Sequence, residues 1–281
     1  MMRLFLLGTG TPIFDSERLA TTAILIEVGS EKVLFDAGRG VTMQLLKQNI
    51  DPTSIDSIFI THHHYDHICD LGELLLSAWH NGRVQPVHIF GPKGTSYIVD
   101  VLLNAIYARD IAFSLHTDSD AIDIRQLIRV NDVQPGFVYE MDHWRVFAQY
   151  VNHGNSLGLS IEEWPCVGYR LEAGDKTVAL GGDTIACVGL ERLADNADGL
   201  ILSCYLADQE INSAGFEQLA AHIIVSSGQA GKIAQRAGVQ KLVLTHFRKK
   251  SDALMHSLIR DIRADFDGEL FIGEDGMVIE P

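Results

Sequence analysis

No run in this chain comes near the ~20 consecutive apolar residues that a membrane-spanning helix needs. The opening "MMRLFLLGTG" has a basic residue and a short apolar run. That run is too short for the apolar core of a secretion signal and leads straight into a glycine turn, so it reads as a first strand. Positive charge is also scarce. With 22 Lys and Arg against 37 Asp and Glu, the formal net charge is −15. An acidic surface argues against a general nucleic-acid binder, although a local basic patch stays open. The four cysteines, Cys69, Cys166, Cys187 and Cys204, lie far apart with no C-x-x-C spacing. They read as buried thiols in a reducing, cytoplasmic setting rather than as a disulfide framework. There is no tandem repeat, low-complexity tract or linker, so residues 1–281 are expected to form a single domain.

Histidine, in contrast, is abundant: there are twelve, and they are not scattered. Short β-type runs alternate with helical ones, which predicts an α/β fold with mixed sheets. "MRLFLLG", "DSIFIT", "VHIFGP", "GLILSCYL" and "KLVLTHF" read as strands. Hairpins are expected around Gly29-Ser30 and Gly174-Asp175, and residues 120–151 are strand-rich. "GVTMQLLKQN", "DLGELLLSAWHNG", "TSYIVDVLLNAIYA", "VGLERLA", "SSGQAGKIAQRAGV" and "DALMHSLIRDIRADF" read as helices.

Several strands end in a titratable residue, where loops build active sites in α/β folds. "VLFDAG" ends at Asp36, "AQYVNHG" at His153, "VALGGDT" at Asp183 and "LVLTHF" at His246. "FITHHHYDHICD" (residues 59–70) is the densest case. In an extended segment, His62 and His64 converge on one point, and Asp66 and His67 follow at the turn into a helix. Imidazole and carboxylate are good zinc donors, and zinc needs about four of them. This cluster alone cannot supply two ions, which makes His153, Asp183 and His246 candidates for the remainder.

The pattern H-x-H-x-D-H after a strand, followed by His, Asp and His at later strand ends, resembles the metallo-β-lactamase superfamily. "LGTGTP", "IFGPKG", "GGDT" and "QAGKIAQRAGVQKLVLTHF" are most similar to its ribonuclease Z and arylsulfatase-like branch. The resemblance covers nearly the whole chain and implies a four-layer αββα sandwich with two mixed β-sheets. It also implies a dinuclear site, with two Zn2+ per chain or Mn2+ or Fe2+ in their place. His62, His64 and His153 would hold one ion, Asp66, His67 and His246 the other, and Asp183 would bridge them. Asp36 would buttress the ligand loop, Asp66 would also orient the attacking water, and His63 and Tyr65 would face away as spacers. His at position 64, where di-iron oxygen-handling relatives carry Glu, suits hydrolysis by a hydroxide held between two ions.

Three departures from ribonuclease Z stand out. Between His153 and Asp183 there is no long basic, glycine-rich arm. "DGLILSCYLADQE" replaces the branch's His-Glu-Ala-Thr motif, so its Glu is absent. His222, a candidate proton donor, is two or three positions out of register. With the acidic charge, these features favour a small substrate, a carboxylic ester, lactone, sulfate ester or phosphodiester, over nucleic acid as a partner. "HFRKK" offers Arg248, Lys249 and Lys250 to an anionic group on it, and the tryptophans of "SIEEWPCVG" and "SAWHNG" could wall a pocket. A ribonuclease Z-type tRNA 3′-endonuclease is the alternative, and a non-catalytic metal-binding scaffold the second. The chain is expected to act as a homodimer.

Overall fold

The computed structural model describes residues 2–281 and, within them, all side chains except those of 138, 213 and 214. Six strands follow the first half of the chain: β1 (Met2–Gly8), β2 (Ala23–Val28), β3 (Glu31–Phe35), β4 (Ser57–Phe59), β5 (Val87–Gly91) and β6 (Ile128–Asp132). Seven more follow: β7 (Val138–Glu140), β8 (Arg145–Tyr150), β9 (Val167–Ala173), β10 (Lys176–Leu180), β11 (Gly199–Ser203), β12 (Lys241–Thr245) and β13 (Glu269–Ile272). The last strand, β14 (Met277–Ile279), returns to the first sheet. The two sheets run β14-β1-β2-β3-β4-β5-β6 and β13-β12-β11-β10-β9-β8-β7.

Their strands read as nearly continuous apolar runs because both faces are covered. Leu4, Leu6, Ile24, Ile26, Val33, Phe35 and Phe59 point into a layer shared with Tyr169, Val178, Ile201 and Val243 of the other sheet. Their neighbours by the two-residue period, Phe5, Leu7, Leu25, Leu34 and Ile58, face helices on the outside. Leu200, Leu202, Leu242 and Leu244 do the same across the second sheet. The result is the expected αββα sandwich.

Both sheets are mixed, and their parallel stretches position the site. β3 through β6 pair in parallel, as do β10 through β13. β8 lies antiparallel to β9, and β9 to β10, so β8 and β10 point the same way. The carboxyl ends of β3, β4, β8, β10 and β12 therefore open on one edge of the sandwich. Beneath that edge Phe59 stacks on Phe35 (5.2 Å between centres) and Phe90 (4.8 Å), and Tyr169 meets it edge-on at 5.3 Å. The Tyr169 hydroxyl donates to the Ile60 carbonyl at 2.7 Å and pins the start of the histidine segment.

The hairpins turn at Gly29 and Gly174, both at positive φ. Three expectations change. The helix expected over "TSYIVDVLLNAIYA" is Thr95–Val101, and a π-helical turn at Leu102–Ile106 then carries the chain into a second helix, Ala108–Thr117. Residues 208–222, given no structure above, form helices Asp208–Ala214 and Glu217–His222. No disulfide forms among the described residues, but Cys69 is exposed rather than buried. No helix is long and apolar enough to cross a membrane.

Candidate metal centre

The densest stretch of the sequence is not a strand at its centre. β4 stops at Phe59, and residues 60–64 run irregularly into a short helix, Tyr65–Ile68. Strand parity therefore does not decide which side chains converge. Asp36 does much of that work. At φ 60 it turns directly off β3, and its carboxylate accepts from the Thr61 amide (2.7 Å), the Thr61 hydroxyl (2.9 Å) and His67 Nδ1 (2.8 Å). The turn after it needs glycine: a Cβ on Gly38 would lie 2.3 Å from the Asp66 carbonyl oxygen. Asp36 thus ties Thr61 and His67 together.

The hydrogen bonds also select the ring tautomers. With the Thr61 hydroxyl donating to Asp36, His62 Nδ1 donates to Thr61 Oγ1 (3.0 Å), and His153 Nδ1 donates to the Ile223 carbonyl (2.6 Å). His62 and His153 are thus left with Nε2 lone pairs aimed at the site, and His67 offers its Nε2 once that nitrogen gives up its proton. His62 Nε2 and His153 Nε2 lie 2.9 and 3.1 Å from His64 Nδ1. His62, His64, His153 and Asp183 form one group with ligand atoms all within 4.8 Å, and Asp66, His67 and His246 form a second. Asp183 faces both. Its Oδ2 is 3.9 Å from His153 Nε2 and 3.3 Å from His246 Nε2, and its Oδ1 is 3.7 Å from His67 Nε2. Gly182, at φ +61 and packed on Thr61, allows the tight turn that aims it.

The donor set fits metal ions. Four donors about 2.0–2.1 Å from a tetrahedral zinc are roughly 3.3 Å apart, close to these spacings. His67 Nε2 and Asp183 Oδ1 are buried without any hydrogen-bond partner, a costly state that a cation would relieve. Burial, reinforced by neighbouring imidazoles, lowers His62 well below its ordinary pKa, and His64 falls to about 4. Burial lowers His153 too. These rings are therefore neutral at pH 7, as ligands must be. For His67, burial opposes the charge, but Asp36 and Asp183 outweigh it and raise the pKa well above normal. Asp183 is also buried, but His246, His67 and His153 hold its pKa well below the usual carboxylate range.

The remaining residues singled out in the sequence have partners of their own. His63 bonds Thr95 Oγ1 at 2.8 Å, and Tyr65 reaches the Pro12 carbonyl at 3.0 Å; neither joins a ligand group. His222 Nδ1 bonds Ser156 Oγ at 2.8 Å, and its carbonyl accepts from the Gly154 amide at 2.7 Å, so it braces the loop that carries His153. Lys250 is not free for a substrate: its side chain is 2 % exposed and pairs with buried Glu210. Arg248 lies between Tyr205 (4.7 Å) and Phe216 (4.4 Å), with Glu210 at 3.7 Å, and Lys249 is exposed. Of the two tryptophans suggested for a pocket, Trp79 is core and donates to the Ile122 carbonyl. Trp164 lies beside the site, 4.8 Å from the His64 ring. Glu210 and Thr61 escaped sequence reasoning. A hydroxyl placed directly after "FI" and before the histidines was the available signal for Thr61; nothing local marks Glu210.

Residues 31–247 match the family model described as "Beta-lactamase superfamily domain". This chain belongs to the beta-lactamase superfamily. Within that superfamily, a ribonuclease Z from Mycobacterium sp. (strain KMS) is 32% identical over 250 residues, covering 88% of this chain and 84% of the relative. Two solved structures share the fold across the full chain. YhfI, a metallo-beta-lactamase fold protein from Bacillus subtilis, has a TM-score of 0.74 at 23% identity, covering 100% of this chain and 99% of YhfI. Human tRNase Z, short form, has a TM-score of 0.71 at 24% identity, with the same coverage. Superfamily membership together with the ribonuclease Z relatives makes the chain a hydrolytic enzyme. The ribonuclease Z relative overturns the preference for a small ester-type substrate over nucleic acid. The arguments from total charge and from the missing arm fail because net charge is a sum over the whole surface. It does not describe the site edge.

Proposed function

We propose that this chain is a metal-dependent phosphodiesterase of the ribonuclease Z type that removes 3′ trailers from precursor tRNA. The observation that carries the proposal is the pair of ligand groups sharing Asp183, in a chain whose curated relatives are ribonucleases Z. His62, His64 and His153 would hold one zinc-class ion, and Asp66, His67 and His246 the second. Asp183 would lie between them, and residues 1–281 would work as a single domain. Two such ions supply Lewis acidity at a phosphoryl oxygen and a water acidified to a pKa of about 7.

The protein's own groups do the rest. Asp36 and Thr61 fix the ring orientations, and Asp66 orients the attacking water. Arg248, held flat between two rings, offers its guanidinium to a phosphate, with Lys249 exposed beside it. Burial of Lys250 in its pair with Glu210 keeps this run rigid just after His246. His222 is assigned proton donation to the leaving oxygen, because its ring flanks the loop of His153.

The test uses precursor tRNA with a 3′ trailer and protein loaded with zinc, manganese or iron(II). Site-specific release of the trailer by the wild type, and none by Asp183→Ala, is the expected result. Absence of cleavage with all three metals would overturn the proposal.

A further inference from the structure

The grip that Arg248 and Lys249 offer a phosphate is electrostatic and weakens with salt. Base stacking is the charge-independent way to hold a strand, and it needs a fixed aromatic face beside the scissile phosphate. We infer that Trp164 is that face and that it stacks an unpaired nucleobase of the substrate. The inference rests on the RNA phosphodiester reading above.

Three observations carry it. First, position: the Trp164 ring is centred 4.8 Å from His64 and 6.2 Å from His62, against the first ligand group. Second, an indole N–H not taken up by a protein acceptor. Buried tryptophans find an acceptor for the ring N–H. Trp79 donates to Ile122 and Trp144 to Glu31, whereas half-buried Trp164 has no acceptor among the described residues. Third, preorganisation. Asn155 Nδ2 donates to the carbonyls of Leu159 (3.3 Å), Ser160 (3.4 Å) and Trp164 (2.8 Å), while Glu163 accepts from the Ser160 amide and hydroxyl. The loop from His153 to Trp164 is locked by its own side chains, yet it exposes Leu157, Leu159 and Ile161. These apolar side chains are exposed on the same loop as the ring, a chemistry that suits a base rather than a phosphate.

Fluorescence provides a readout independent of catalysis, since Trp79 and Trp144 are only 9% and 3% exposed and Trp164 dominates any quenching by ligand. The probe is a nuclease-resistant 2′-O-methyl tetranucleotide, compared with an abasic tetranucleotide of equal charge. The expected result is quenching of the wild type by the base-containing probe only; in anisotropy of the same probe carrying a 3′ dye, affinity should be about tenfold weaker in Trp164→Ala and less affected in Trp164→Phe. KM for precursor RNA should rise in the same order, while metal content stays unchanged in Trp164→Phe. Equal binding of the two probes, equal losses for both in Trp164→Ala, or no binding of either would overturn the stacking role. Base-dependent quenching without cleavage of any RNA would leave the stacking role standing and remove the ribonuclease reading. Cleavage without base dependence would do the reverse.

Discussion

The two ligand groups on either side of Asp183 are built differently. The first is three imidazoles, His62, His64 and His153, with His64 exposed and all three held neutral by burial and mutual repulsion. The second combines a carboxylate, Asp66, with His67 and His246, all buried, and His67 carries Asp36 at its back. A dication gains more from the second group, where more negative charge sits in a lower dielectric. The first group is better suited to releasing and regaining its ion, because its donors are neutral and one is open to solvent. The difference teaches that a site described by one motif contains a tight half and a loose half.

The largest test removes the residue the two halves share. Asp183→Ala should lose both ions and at least about 10³-fold in activity, because among the described residues Asp183 is the carboxylate whose oxygens approach His153 in one group and His67 and His246 in the other. Metal analysis beside the assay decides it: a variant that keeps two ions would show that Asp183 does not join the halves.

Next, the comparison can be sharpened on one side only. Asp36→Asn preserves shape but removes the charge behind His67, and second-layer changes of this kind cost about 10–100-fold in metal affinity. The loss should fall on the second ion, while the first, served by His62, His64 and His153, is affected less. Staged chelation with metal content followed over time separates the two. Equal loss of both ions would mean that Asp36 acts through Thr61 on the whole segment rather than through His67.

Much of this arrangement was legible in the sequence, for identifiable physical reasons. Apolar runs in doubly covered strands are a local signal, so the strands and their ends could be read from the chain, while the sandwich followed from the family resemblance. The histidine-rich stretch was dense enough to stand out against any surface explanation. Long-range pairing was not legible. Lys250 looked like a surface cation until Glu210, from a helix that had no apolar pattern to announce it, closed over it. The facing of His63 was argued from strand parity, but β4 ends one residue before Ile60, and hydrogen bonds from Thr95 and Asp36 orient that segment instead. The substrate was misjudged because net charge and a missing arm are properties of the whole surface. Recognition by a single stacked ring leaves almost no trace in composition.

The smallest test uses pH on the metal-free protein, and its sign separates the halves. His62, His64 and His153 have folded pKa values below the unfolded value of about 6.5. On acidification the unfolded chain therefore takes up protons first, and stability falls from about pH 6.5 down through the lowered folded values, with His64 near 4. Asp183 adds to the fall at the acid end, because its folded pKa is depressed and its contribution is lost as pH drops through it. His67 acts oppositely. With its folded pKa raised, its contribution is complete below about pH 6.5 and is lost as pH rises through the folded value. The metal-free protein should therefore be most stable near neutrality, with an acid limb set by the first group and an alkaline limb set by the second. Allowing for solvent screening at exposed His64, each limb should be on the order of 1–2 kcal/mol, a few degrees in Tm. Asp36→Asn should flatten the alkaline limb alone, because Asp36 is the charge that most raises His67. Thermal unfolding from pH 4.5 to 9 measures both limbs. A single limb, or an Asp36→Asn profile that changes on the acid side, would show that the two halves titrate as one unit.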